Sequence, residues 1–239
     1  MEKAKKYIKY KSVGYDNAFA YKKFTEKNML LIKIKNLLVD KEYVQEFYDT
    51  IKPFYKSFDK IIIDVRDCIG GYDYIALLFL SIFSSKNIKI PISYYFPYTK
   101  YNKSQINDIL KVYFNMSIDD CEKLEKKIGN LSYQVFHYDE EDMKKNREFL
   151  SEIDGDYKGK VYVAANNNTW SAGAFLVYVA KKLKYKIIGN EKYIAKSAWG
   201  PGPSILDILP NTKILFNYDT MISEKNINGI KCDIIMEDL

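Results

Sequence analysis

The hydrophobic pattern breaks the chain into short apolar runs and amphipathic stretches. Residues 28–39, "NMLLIKIKNLLV", are apolar with Lys at intervals, the pattern of a strand with one partly exposed face. From Asp40 onward the period changes. Tyr43, Val44, Phe47 and Ile51 recur at helical spacing, with Asp40 as N-cap and Pro53 disturbing the last turn. In "KIIIDVRDCIGGYDYIALLFLSIFSS", Ile61, Ile62 and Ile63 predict a buried strand, "RDCIGG" a turn, and 74–83 a largely buried helix. Strand, helix, strand, Gly-rich turn, helix is the order of an α/β core with a largely parallel sheet.

The same order returns later. "GKVYVAAN" (159–166) predicts a strand, "NNTWSAG" a loop, "AFLVYVAKKL" a helix and "YKIIGN" another strand. Between the two units, 88–157 mixes aromatic with polar residues and carries a Lys- and Glu-rich helix near 117–128. It is expected to be an excursion inserted over the core, a lid or cap. A Gly/Pro loop, a strand over 213–218 and a final turn and strand follow. No stretch resembles an interdomain linker, so 1–239 is expected to be a single domain.

Composition supports a globular chain. Of 239 residues 47% are hydrophobic, with 22 Tyr and 13 Phe, enough for one sizeable core. The net charge of +6 comes from Lys scattered along the sequence, which predicts a solvated basic surface and no nucleic-acid partner. Cys68, Cys121 and Cys232 are far apart without a CxxC pair, and His137 is the single histidine. Neither a disulfide framework nor a metal site is expected, and no cofactor. There is no signal-peptide pattern and no apolar run of about 18 residues. The expectation is a protein without a membrane segment, cytoplasmic unless the chain is a trimmed part of an exported one; its oligomeric state is not legible.

Two loops carry candidate chemistry. Ser171 sits between a predicted strand and a predicted helix, where the amide of Ala172 is free to act as an oxyanion donor. A serine hydroxyl becomes a useful nucleophile when a base takes its proton and donors stabilise the oxyanion. Serine in this place is equally the ordinary N-cap of a helix. Gly70 and Gly71 occupy the matching place in the first unit; a Gly pair permits positive φ and exposes backbone N–H groups, in a donor loop or in a plain turn. Asp64 and Arg66 beside it suit a structural ion pair. For the base, Lys196 stands among Ala195, Ser197 and Ala198, and a lysine desolvated in a pocket has its pKa lowered toward that role. A surface lysine is the competing reading, and His137, among acids in the excursion, suits a surface or packed position.

Five segments in order resemble one family. "KIIIDVRDCIGG" is similar to the "(I/V)IDLRxNxGG" strand and turn of the C-terminal processing peptidases, or tail-specific proteases, and their tricorn-like relatives. "YKGKVYVAANNNTWSAGAF" resembles their "T-x-S-A-x-E" nucleophile segment, and "KIIGN", "LPNT" and "NGIKCDII" resemble the "IG(E/N)", "LPN" and "G(I/V)xPD" elements. The resemblance implies a crotonase- or ClpP-like fold of stacked ββα units and a serine peptidase acting on polypeptides without a cofactor. It assigns Ser171 as nucleophile, Gly70 and Ala172 as oxyanion donors with Gly71 beside them, and Lys196, 25 residues beyond Ser171, as base. Position 174 is Ala where the family has an acid, "IAKSAWG" replaces the "FGKG" around the lysine, and no His precedes the "IDVR" strand. These departures keep two further readings open: a catalytically impaired peptide-binding or scaffold protein of the same fold, and a crotonase-type protein acting on thioesters through two backbone amides.

Overall fold

The structure is a computed structural model that describes residues 11–13, 17–86, 90–97, 133–138, 155–195, 204–208, 215–219, 222–223 and 229–236, with positions 111, 117, 119, 211 and 212. Strands β1 (Lys11–Val13), β2 (Phe19–Phe24), β3 (Met29–Ile34) and β4 (Lys60–Asp64) come first in the chain. Next are β5 (Ile90–Pro97), β6 (Tyr133–Tyr138), β7 (Lys160–Ala164) and β8 (Lys186–Gly189). Short strands follow: β9 (Tyr193–Ile194), β10 (Ser204–Ile208), β11 (Leu215–Asp219), β12 (Ile222–Ser223), β13 (Ile230–Lys231) and β14 (Ile234–Ile235). Between them lie helices α1 (Lys41–Ile51), α2 (Asp73–Ser81) and α3 (Ala172–Lys182).

The main sheet has seven strands in the order β1-β2-β3-β4-β7-β8-β14. β1, β2 and β3 pair antiparallel, and every pair from β3 to β14 is parallel. This is the mixed, largely parallel α/β sheet expected from the element order. Parallel neighbours need a crossover, and β3-α1-β4 and β7-α3-β8 supply it with amphipathic or buried helices. On α1 the buried residues are Val44, Phe47, Tyr48 and Ile51, with Tyr43 partly buried, so the predicted face is correct and one residue wider. Asp40 precedes the helix but its side chain makes no capping bond. On α2 every residue from Ile75 to Ser81 is buried, in keeping with the largely buried helix expected over 74–83.

The core is aromatic at its centre. Phe19 of β2, Phe47 of α1 and Phe79 of α2 are fully buried, with ring centroids 5.3 Å apart for Phe19–Phe47 and Phe19–Phe79. Centroids at this spacing add edge and offset contacts to ordinary area burial. At the far edge Asp233 fixes the tail: its carboxylate accepts from the Ile187 amide at 2.9 Å and from Lys181 Nζ at 2.7 Å.

Within the expected excursion, β5 pairs antiparallel with β6; β12, from later in the chain, adds to β5, and β10 pairs with β11 as a separate two-stranded sheet. Among the described residues no helix is long and apolar enough to cross a membrane.

Candidate active site

β4 and β7 are adjacent and parallel, in the register Ile61↔Val161 and Ile63↔Val163. The loops that leave their C-terminal ends, 65–72 and 165–171, therefore emerge side by side. Backbone pairing continues past the strands, with Val65 N–H donating to Ala164 O at 2.8 Å and Trp170 N–H donating to Cys68 O at 2.8 Å. Thr169 is fully buried and its hydroxyl donates to Val65 O at 2.9 Å while accepting from the Asn166 amide at 3.1 Å.

Asp67 also joins the loops through side chains. Its Oδ1 accepts from the side-chain amides of Asn166 and Asn168, each at 3.0 Å, and its own backbone N–H donates to Asn166 Oδ1 at 3.2 Å. The Asn166 amide, then that of Asn168, holds the Asp67 carboxyl below the usual carboxylate range, with Lys33 and Arg66 adding to the effect against partial desolvation. The backbone of Asp67 has φ 61°. At the root of the loop, Asp64 is buried and receives a bidentate pair from Arg66, at 2.8 and 2.7 Å, with Lys33 Nζ at 3.3 Å. The Asp64 and Arg66 pair is thus structural: it fixes the turn from β4 into the loop.

Ser171 stands at the end of the second loop, immediately before α3. Its backbone has φ 48° and ψ −123°, a region that L-residues rarely occupy, and its side chain makes no capping hydrogen bond. The residue is exposed. Of the two roles its position allows, the hydroxyl performs the capping one nowhere in this structure. Phe175 N–H donates to Ser171 O at 3.0 Å, so α3 starts here; Gly173 N–H donates to Trp170 O at 2.8 Å, while the Ala172 amide has no backbone acceptor among the described residues.

Gly70 lies against this serine. A Cβ at Gly70 would stand 2.7 Å from Ser171 Cβ, 2.9 Å from Trp170 O and 3.2 Å from Ala172 N, and Gly70 has φ 90°. Only glycine satisfies both the approach and the conformation. Among the described residues its N–H has no backbone acceptor, and it lies beside the thiol of Cys68, whose pKa burial pushes up to about 11 against the opposing effect of the Gly70 amide. A thiol is a weak acceptor, so this amide is available to a stronger one. Gly71 faces the other way. With φ 144°, its open side is pressed on Leu37 and Leu38, and the parallel bridge Leu37↔Gly71 ties 35–38 to the loop. Leu38, Ile69 and Trp170, from three segments that meet at this end of the sheet, are 52%, 66% and 52% exposed.

The structure thus brings together Ser171, Ala172 and Gly70, with Gly71 one residue removed. Lys196 lies outside the described residues, as does Cys121, and His137 falls on β6 opposite Ser93 in register. Ala174 is buried in the first turn of α3. The residues that sequence reasoning passed over are Asp67, Asn166, Asn168 and Thr169. Their signal was present as an Asn-rich loop and an Asp in a turn, but their pairing spans 99 to 101 positions of sequence.

A serine on a strained strand-to-helix turn, open to solvent and facing a Gly-rich loop from the next strand, is the backbone form used by α/β serine hydrolases. The chain belongs to peptidase family S41, whose model matches residues 28–201. Among solved structures it is similar to a putative peptidase from Parabacteroides merdae, with TM-score 0.57 and 15% identity over 95% of this chain and 59% of that one. A lipoprotein from Streptococcus agalactiae has TM-score 0.53 and 13% identity, over 91% of this chain and 65% of the other. Mature CPAF, in a complex with lactacystin, has TM-score 0.57 and 15% identity, over 91% of this chain and 49% of its own. The chain therefore spans about half to two thirds of the length of these proteins, and at such identities the likeness is one of fold. No curated protein matches it in sequence.

Proposed function

We propose that this chain is a serine peptidase of the C-terminal processing type, with a crotonase-like core, that hydrolyses polypeptides through an acyl-enzyme on Ser171. The observation that carries the reading is the backbone of Ser171, held at φ 48° and ψ −123° with its hydroxyl uncommitted to capping. A strained residue needs surrounding structure to hold it, and such strain clusters at reacting groups. Ser171 Oγ attacks the peptide carbonyl as its proton passes to the neutral amine of Lys196. The amides of Gly70 and Ala172 stabilise the oxyanion, and Gly71 shapes the loop that presents them. Collapse expels the amine with the proton from Lys196, and water then hydrolyses the ester by the same route. Leu38, Ile69 and Trp170 give the substrate chain an apolar surface beside the serine.

Fluorophosphonate treatment followed by mass spectrometry tests this without a known substrate. The expected result is one adduct on Ser171, absent in Ser171→Ala and slowed in Lys196→Ala. A folded wild-type protein that takes up no label overturns the reading and favours a peptide-binding relative.

A further inference from the structure

We infer that Asp67 is a positioning residue, which sets the Gly70 amide against Ser171 by clasping the two loops through Asn166 and Asn168. The inference rests on the peptidase reading for its catalytic consequence, but the clasp itself is geometric. The proposed nucleophile and its proposed oxyanion donor sit on loops about 100 residues apart in sequence, so no local turn can set their spacing. The loops are joined through the Thr169–Val65 bond at their root and the Trp170–Cys68 bond next to Ser171. Among the described residues the other bonds between the two loops all involve Asp67: two accepted at 3.0 Å and one donated at 3.2 Å.

Asn166 is the hub on the other side. Its Oδ1 accepts from the Asn168 amide at 3.1 Å as well as from Asp67, while its own N–H reaches the Thr169 hydroxyl. The Asp67 carboxylate therefore holds Asn166 and Asn168, and through Asn166 the hydroxyl of Thr169, as one unit ahead of Trp170 and Ser171. Position 67 also carries a conformational demand. Its φ of 61° favours Gly and Asn over other substitutes, which allows the acceptor to be separated from the backbone. Asp67→Gly keeps the conformation and removes the acceptor, whereas Asp67→Asn keeps both.

The experiment is saturation kinetics of fluorophosphonate labelling, resolved into a maximal rate and an apparent KI, for the wild type and these two variants. Amide hydrogen exchange of peptides covering 166–172 is measured alongside. Asp67→Gly is expected to lower the maximal rate about tenfold with KI unchanged, since small misplacements of reacting groups act on the chemical step. Asp67→Asn is expected to restore most of that rate, and exchange over 166–172 is expected to rise in Asp67→Gly alone. Wild-type rate and exchange in Asp67→Gly overturn the inference. If the wild type itself takes no label, the peptidase reading fails separately, and the exchange data decide the clasp: faster exchange upholds it and unchanged exchange refutes it. Should Asp67→Gly fail to fold, Asn168→Ala removes one of the clasp bonds from an exposed side chain and must reproduce a smaller rise in exchange.

Discussion

Replacing Ser171 by Gly and by Ala distinguishes the two roles that its position allows. In the structure the residue holds φ 48° and ψ −123° and its side chain caps nothing. Such a conformation costs a non-glycine residue about 1–3 kcal/mol. Glycine removes that strain but adds freedom to the unfolded chain, a loss of about 0.4–1 kcal/mol. Ser171→Gly should therefore be more stable than the wild type by about 1 kcal/mol, or about 2–4 °C in Tm for a chain of this length. Ser171→Ala keeps the strain and loses a hydroxyl with no capping bond, so its stability should stay within about 0.5 kcal/mol. A capping serine predicts that both variants fall below the wild type: Ala would lose about 0.5–2 kcal/mol and Gly only a few tenths. Urea unfolding of the three proteins, with equal m-values as the check on the reference state, reads the difference directly. A loss of 1 kcal/mol or more in Ser171→Ala, with no gain in Ser171→Gly, would refute the argument from strain.

Two other outcomes follow from the same loops. Gly70→Ala places a Cβ 2.7 Å from Ser171 Cβ at a φ of 90°; strain and overpacking together should lower stability by about 2–5 kcal/mol and abolish fluorophosphonate labelling. Unchanged melting with full labelling would mean the two loops are not in contact. The Asp67 carboxyl has a lowered pKa in the fold, through Asn166 and Asn168 first and Lys33 and Arg66 after, so its contribution is present above the unfolded-state pKa. That contribution fades as pH falls through the folded value. Asp67→Asn should therefore show a shallower decline of Tm on the acid side than the wild type, and parallel curves would argue against the clasp being ionic.

Much of the core was legible because its elements bury themselves in simple patterns. Ile61 to Ile63 gave an unbroken apolar run for β4, and the spacing of Val44, Phe47 and Ile51 gave the inner face of α1. The antiparallel pair β1 and β2 was not assigned, although Phe19 lies at the centre of the aromatic cluster. Its run, "FAYKKF", is short and interrupted by two lysines, and its pairing to β3, Phe19↔Ile34 through Phe24↔Met29, makes it a strand. The site was legible in part. Ser171, Ala172 and Gly70 were singled out from loop position and resemblance, yet the sequence left Ser171 equally a cap.

What the sequence alone determined is the supply of parts: strands apolar enough to stack in parallel, two loops opening after them, a glycine pair in one and a serine in the other. These depend on neighbours within a few residues, where propensity and periodicity act. Tertiary structure decided their use. The parallel register of β4 and β7 brings loops a hundred residues apart to the same sheet edge. That contact presses Gly70 on Ser171, turns Asp67 toward Asn166, and holds the serine in a conformation that local sequence preference alone disfavours. A strained backbone angle cannot be read from residue types, because it is the result of packing imposed from outside the segment.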